Sequence, residues 1–208
     1  MTDVARAPRH EQLARTRKAL IDAALNLFAE NGFDETSTDE IAAAAGVSPR
    51  TFFRYFPTKE SVLFFGEYDF IRLFSGALAA QDPSIPDLEA ICSALIALAP
   101  RVEPLRERVR LYELAIASSM LLRGREQAAA EDNIKVMSEA IADRRRLAQP
   151  DESCEILSSL SNIALRRALQ AWLASPPRQK LAELIPVEFN RIADVVAEAR
   201  SAHGSSSA

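Results

Sequence analysis

Apolar residues recur along this chain at three- and four-residue intervals, and the strict alternation that marks a half-buried strand is nearly absent. Leu13, Leu20, Ile21, Ala24, Leu25 and Phe28 fall on one stripe of a helix expected from His10 to Asn31. Asn31-Gly32 ends it, and Phe33 can fold back as the hydrophobic contact after a glycine cap. Ser37 or Thr38 can cap a second, short helix, with Glu40 at the capping-box spacing from Ser37 and an apolar face of Ile41, Ala42 and Ala45. Gly46 fits the positive φ at which that helix should end, and Val47 anchors the bend. Ser48 caps a third helix and Pro49 takes its first position, where a missing N–H costs nothing. Phe52 and Phe56 face inward, and Pro57 stops the helix.

Beyond this point the stripes lengthen. A helix capped by Thr58 is expected to run to about Ala80 through Val62, Leu63, Phe65, Phe70, Ile71 and Phe74. Pro83 and Pro86 mark a break, after which Pro86 to Ala99 reads as a short apolar helix ended by Pro100. Val102 to Leu122 follows, punctuated by Gly124, and then Arg125 to Leu147. The run Arg144, Arg145 and Arg146 reads as a solvated helix end, where cations complement the helix dipole.

The last two helices are expected at Asp151 to Ala174 and Arg178 to Ser201. The first is apolar around much of its circumference, including Ile163 and Trp172. In the second, Ile185, Phe189, Ile192 and Val196 follow a 4-3-4 spacing like a coiled-coil seam, with Pro186 expected to kink it. One packing face would not need so many apolar residues. The pair therefore predicts a homodimer through a four-helix bundle, with Ile163, Trp172, Ile185, Phe189, Ile192 and Val196 at the seam. A larger monomeric core is the alternative.

The stretch STDEIAAAAGVSPRTFFRYFPTK, Ser37 to Lys59, has the plan of a helix-turn-helix, whose second helix would read DNA. Arg50 and Arg54 lie on its outward side, donors suited to phosphate or guanine edges. Arg50 is the candidate base reader and Pro49 a contact for a thymine methyl group. Ser48, Thr51, Tyr55 and Lys59 are candidate phosphate contacts, with Ser37 and Thr38 joining them at a helix N-terminus. Arg15, on the first helix, can touch the backbone. An ordinary helical hairpin in an all-α core is the alternative.

From Ala19 to Leu63 the sequence ALIDAALNLFAENGFDETSTDEIAAAAGVSPRTFFRYFPTKESVL resembles the N-terminal DNA-binding domain of the TetR family of bacterial transcriptional regulators. The resemblance implies an all-α fold: an N-terminal arm and three-helix helix-turn-helix domain over 1–60, then a larger helical ligand-binding and dimerisation domain over 61–208 with a flexible tail from about 202. It implies a regulator that binds a palindromic operator and is released by a small molecule. The family often has tyrosine where Phe53 stands, its hydroxyl on a phosphate. Phe53 cannot make that bond. The second domain is similar to a branch of the family linked to lipid-like or acyl-CoA ligands.

Composition adjusts this picture in a few places. The formal net charge is −4, so any nucleic-acid footprint must be local, as Arg6, Arg9, Arg15, Arg17, Lys18, Arg50 and Arg54 suggest. His10 and His203 both lie near the ends, which speaks against Ser-His-Asp, Cys-His and His-ligated zinc chemistry. Cys92 and Cys154 read as buried free thiols, with no metal spacing and no cofactor expected. No signal peptide or spanning segment is read, so a soluble cytoplasmic protein is expected, with no membrane partner. Phe70, Phe74, Tyr112, Met120, Met137 and Trp172 can surround an apolar cavity. Ser119, Asn133, Asn162 and Arg166 are candidate polar ligand contacts, alongside Tyr112. The expected function is a DNA-binding repressor released by a small apolar ligand. A ligand-independent regulator or an activator is the alternative, and an all-α enzyme carrying a helix-turn-helix a more distant one.

Overall fold

The computed structural model describes the backbone of residues 6–64 and 67–204 and the side chains of residues 11–64 and 72–198. Among these residues the chain is all-α. Its helices are α1 (Arg6–Asn31), α2 (Thr38–Ala44), α3 (Pro49–Tyr55), α4 (Glu67–Ala79), α5 (Asp87–Val102), α6 (Arg106–Ser118), α7 (Met120–Arg145), α8 (Glu152–Ala174) and α9 (Leu181–Gly204). None of the described helices is long and apolar enough to cross a membrane.

The chain forms two compact units, neither contiguous in sequence: Met1–Glu67 with Glu107–Gln127, and Tyr68–Arg106 with Ala128–Ala208. In the first, α1 buries Leu20, Ala24, Leu25 and Phe28 against Phe33, Ile41, Ala42, Phe52, Phe56 and Val62. Each fully buried Phe there is worth about 2–3 kcal/mol of transfer free energy. Ala115, Ile116 and Leu122 of α6 and α7 close the same core. Polar clamps repeat the attachment. Ser118 Oγ accepts from the Phe33 N–H at 3.2 Å, and Ser119 Oγ donates to the Asp34 carboxylate at 3.2 Å. Arg108 pairs with Asp22 on α1, and Arg125 with Glu60.

In the second unit α9 packs on both α8 and α5. Leu181, Ile185 and Phe189 are buried, as are Ala164, Ala168 and Trp172 of α8 and Ala94, Leu95 and Leu98 of α5. Arg106 caps the C-terminal end of α8 by donating to the carbonyls of Trp172, Leu173, Ser175 and Pro176, with its guanidinium 5.1 Å from the Trp172 ring centroid.

Several boundaries differ from the sequence expectation. The helix expected from Thr58 is not continuous: Glu60–Val62 is a single 3-10 turn, and the next described helix starts at Glu67. The Ser61 hydroxyl donates to the Thr58 carbonyl at 2.6 Å, offering the backbone a local alternative to the helical ladder. Pro100 lies inside α5, near its end. Gly124 lies inside α7, and the break falls instead at Ser119. The arginine run is not a solvated end. The Arg144 side chain is 6% exposed, bonded to Asp87 and to the carbonyls of Gln81, Asp82 and Ile85, while Arg145 bonds Asp87 at 2.7 Å. Arg146 ends α7 at φ 59, its N–H on the Asp143 carbonyl and the Leu147 N–H on that of Ala142. That is a Schellman cap with arginine where glycine is usual.

Candidate nucleic-acid interface

The turn between α2 and α3 is set by local chemistry. Gly46 sits at φ 69, with open space where a Cβ would lie, so backbone conformation alone selects glycine. Its N–H bonds the Ala43 carbonyl at 3.0 Å, and the Val47 N–H bonds that of Ala42 at 2.9 Å, closing α2. Ser48 Oγ accepts from the Thr51 N–H at 3.2 Å and Pro49 occupies the first turn of α3. Phe52 and Phe56 are fully buried and fix the rotation of α3 about its axis.

That rotation leaves Ser48, Pro49, Arg50, Phe53 and Arg54 exposed, with Thr51 and Tyr55 half-buried. Pro49, Arg50 and Phe53 share one edge, where Arg50 has no ion pair among the described residues. On the other edge Arg54 lies 5.3 Å from the Tyr55 ring centroid, and Arg17 of α1 approaches the same ring at 6.0 Å. Two guanidiniums on one tyrosine make a cationic corner suited to a phosphodiester. The sequence places Arg17 only in the general basic footprint near the start of the chain, with no specific contact. Its place beside Tyr55, far along the chain, depends on how α1 crosses α3. Arg15 is exposed on α1 and pairs with Glu11 at 3.2 Å, a weak surface pair that phosphate can displace.

Two of the expected phosphate contacts have their polar groups engaged within the chain. Lys59 Nζ donates to the carbonyls of Phe33 at 2.6 Å, Thr36 at 2.8 Å and Asp34 at 3.4 Å, and sits 4.2 Å from the Phe33 ring centroid. An ammonium has three protons, so Lys59 ties down the α1–α2 loop. Ser37 is likewise committed. Its N–H and hydroxyl donate to the Glu40 carboxylate at 2.8 and 2.7 Å, and its Oγ accepts from the Glu40 N–H at 3.2 Å. The Ser37 N–H, then its hydroxyl, hold Glu40 below its ordinary pKa of 4.5. With Asp39 and Glu40 in its first turn, α2 meets an anion with negative charge, so half-buried Thr38 shares that disadvantage.

The expected ligand set is not gathered by either unit. Tyr112, Ser119 and Met120 belong to the first, where Tyr112 stands edge-on to Phe64 at 6.3 Å and Met120 is 82% exposed. Met120 is thus exposed where an apolar cavity wall was expected, and the Ser119 hydroxyl is engaged with Asp34. Phe74 and Met137 are buried in the second unit, Asn133 and Asn162 half-buried and Arg166 exposed. Phe70 lies outside the described side chains.

The residues expected at a dimer seam are only partly exposed. Trp172, Ile185 and Phe189 are buried within their own unit, because α9 turns that stripe toward α8 and α5. On α8 and α9 the large apolar residues left exposed are Ile156, Ile163 (50% exposed), Val187, Val195 (65%) and Val196, while Ile192 is half-buried. Beside them a groove of about 460 Å³ is lined by Leu160, Ile192, Val195 and Val196 with Arg167, Glu188, Arg191 and Asp194. Glu188 is 3% exposed and is held by Arg167 at 2.7 Å and by Arg191. Cys154 is buried and Cys92 half-buried, and burial pushes both thiols above their ordinary range, leaving them poor nucleophiles. No group of residues able to hold a metal occurs among the described residues.

Residues 20–64 match the family model described as bacterial regulatory proteins, tetR family. The chain is 38% identical over 94 residues to the HTH-type transcriptional regulator TcmR of Streptomyces glaucescens, covering 45% of this chain and 42% of that protein. It is 29% identical over 147 residues to the HTH-type transcriptional regulator BetI of Rhizobium meliloti, covering 61% and 72%. In the first of these matches and others like it, the chain spans about half the length of the curated relative. Among solved structures it resembles a complex of SmeT, the Stenotrophomonas maltophilia efflux-pump repressor, with triclosan (TM-score 0.62, 21% identity, 85% and 88% covered). It also resembles FadR of Thermus thermophilus in complex with lauroyl-CoA (TM-score 0.54, 24% identity, 84% and 91% covered). At these identities the structural likeness speaks for the fold.

Proposed function

We propose that this chain, a member of the TetR family of bacterial regulatory proteins, is a sequence-specific DNA-binding transcriptional regulator without enzymatic activity, acting in the cytoplasm as a homodimer. The observation that carries this reading is the exposed edge of α3. Arg50 projects there without an ion pair among the described residues, on a helix whose rotation is fixed by buried Phe52 and Phe56. Arg50 reads a base, with Pro49 and Phe53 beside it. Arg17, Arg54, Tyr55, Ser48, Thr51 and Arg15 hold phosphates.

The apolar groove lined by Leu160, Ile192, Val195 and Val196, with Ile163 exposed on α8, supports the dimer, since a patch of that kind is costly to leave in water. A two-fold axis there carries two reading helices to successive major grooves, roughly 34–36 Å apart, and calls for a palindromic operator. In function the chain divides near residue 60, into a DNA-binding part and a ligand-binding and dimerisation part. A small apolar effector, lipid-like or acyl-CoA-like, binds the latter and releases a repressor from DNA. The ligands in the SmeT and FadR complexes motivate that class of effector. Binding shifts the balance only by its difference in affinity between the DNA-competent and DNA-incompetent states. A regulator without a ligand, or an activator, is the second reading, favoured by the division of the expected ligand residues between the two units.

The test is selection of bound DNA from a random library with the full-length chain at stated salt, followed by acyl-CoA titration of the complex. An enriched palindrome released by acyl-CoA supports the reading. An enriched palindrome that acyl-CoA leaves bound removes that effector class. Purely salt-sensitive, unselective binding removes the sequence-specific function.

A further inference from the structure

Phe53 is the most exposed aromatic of α3, at 52%. It is not a loose side chain. Its ring stands edge-on to buried Phe52, with centroids 5.4 Å apart and planes at 85°, an arrangement that aromatic pairs favour. Phe53 lies one helical turn from Arg50, on the Pro49 side, while Arg54 turns toward Tyr55. The outer surface of α3 is thus divided. One edge gathers guanidiniums around Tyr55, the chemistry of phosphate. The other places a fixed apolar ring beside an arginine that has no ion pair among the described residues, and no hydroxyl is available on that ring to reach a phosphate.

In a major groove, the apolar feature that distinguishes one base pair from another is the thymine C5-methyl group. We propose that Phe53 is a specificity-determining residue that recognises a thymine methyl in each half-site, within one or two base pairs of the base read by Arg50. This rests on the proposed DNA-binding function. Phe53 gives α3 a preference for A·T that arginine alone does not supply, and it loses little conformational entropy on binding because Phe52 already holds the ring.

The experiment uses the full-length chain and the sequence enriched from the random library. Each thymine of the half-site is replaced in turn by deoxyuridine, which keeps the pairing and removes only the methyl. One symmetric position is expected to cost the wild type about fourfold in affinity per half-site, the transfer free energy of roughly one methyl. Phe53→Ala should lose affinity for the thymine operator by at least as much and show no further loss on uridine, whereas Phe53→Leu should keep part of the methyl dependence. The double-mutant cycle isolates the contact from any general weakening of the fold. Equal uridine penalties in wild type and Phe53→Ala would overturn the thymine contact while leaving operator binding intact. A half-site with no required thymine would do the same. If the library yields no enriched sequence, the DNA-reading function itself fails, and the contact with it.

Discussion

Lys59 separates the chemistry implied by sequence position from the chemistry shown by geometry. Changing Lys59→Met keeps most of the aliphatic stem and removes the ammonium. The wild-type group makes two short bonds to backbone carbonyls, at 2.6 and 2.8 Å, a longer one at 3.4 Å, and a ring contact at 4.2 Å. A charge-assisted bond contributes about 1.5–3 kcal/mol when well buried, and a cation over a ring about 0.5–1 kcal/mol at an exposed site. The site is only partly buried, so screening removes roughly half, and the variant should lose about 2–3 kcal/mol. That leaves a typical domain of about 5–15 kcal/mol folded at room temperature. Urea unfolding at fixed protein concentration, followed by circular dichroism, reads the loss. A salt titration of operator binding on the same samples reads the alternative. The slope of log K against log salt should be unchanged, because no phosphate contact is removed. Unchanged stability together with a slope smaller by about one would refute the reasoning and return Lys59 to the phosphate backbone.

Three further outcomes follow from the same geometry. Arg146→Gly relieves an arginine held at φ 59 and should stabilise the chain by about 1 kcal/mol, seen as a thermal midpoint raised by roughly 2–4 °C; a lowered midpoint would mean that the arginine side chain contributes more than its backbone costs. Glu40 has a folded pKa below its ordinary 4.5, so its contribution to the α2 cap is complete above that value and is lost as pH falls through the depressed one. Ser37→Ala and Glu40→Gln should therefore narrow the stability difference between pH 7 and acid, and an unchanged acid limb would dismiss the cap as a pH-dependent element. Val195→Asp, on the exposed face, should give a folded monomer by sedimentation at micromolar concentration. Phe189→Ala, in the core, should instead cost about 3–5 kcal/mol in stability. A dimer that survives Val195→Asp would place the interface elsewhere.

What was legible in the sequence was local. The capping box at Ser37 and Glu40, the glycine at φ 69 and the proline in the first turn of α3 are each recognisable within a few residues, and together they fix the turn that presents α3. What was not legible depended on distant partners. The carbonyls that hold Lys59 lie 23–26 positions upstream. The acceptors that bury Arg144 lie 57–63 positions away. In α9 two apolar stripes compete, and only the packing of α5 and α8 shows that Ile185 and Phe189 face inward and Val195 outward. Likewise, the attachment of α6 to α1 and the loop after it, through Arg108 to Asp22 and Ser118 to Phe33, carries no periodic signal.

The most direct test of the central claim is the ratio of affinities for the enriched operator and for random DNA, measured at one salt concentration for wild type and Arg50→Ala. Sequence-specific reading by α3 predicts a wild-type ratio of about 10³ or more. It also predicts that Arg50→Ala lowers this ratio by roughly 10- to 100-fold, with much less effect on random DNA. Equal ratios in the two proteins, or no preference in either, would contradict the account.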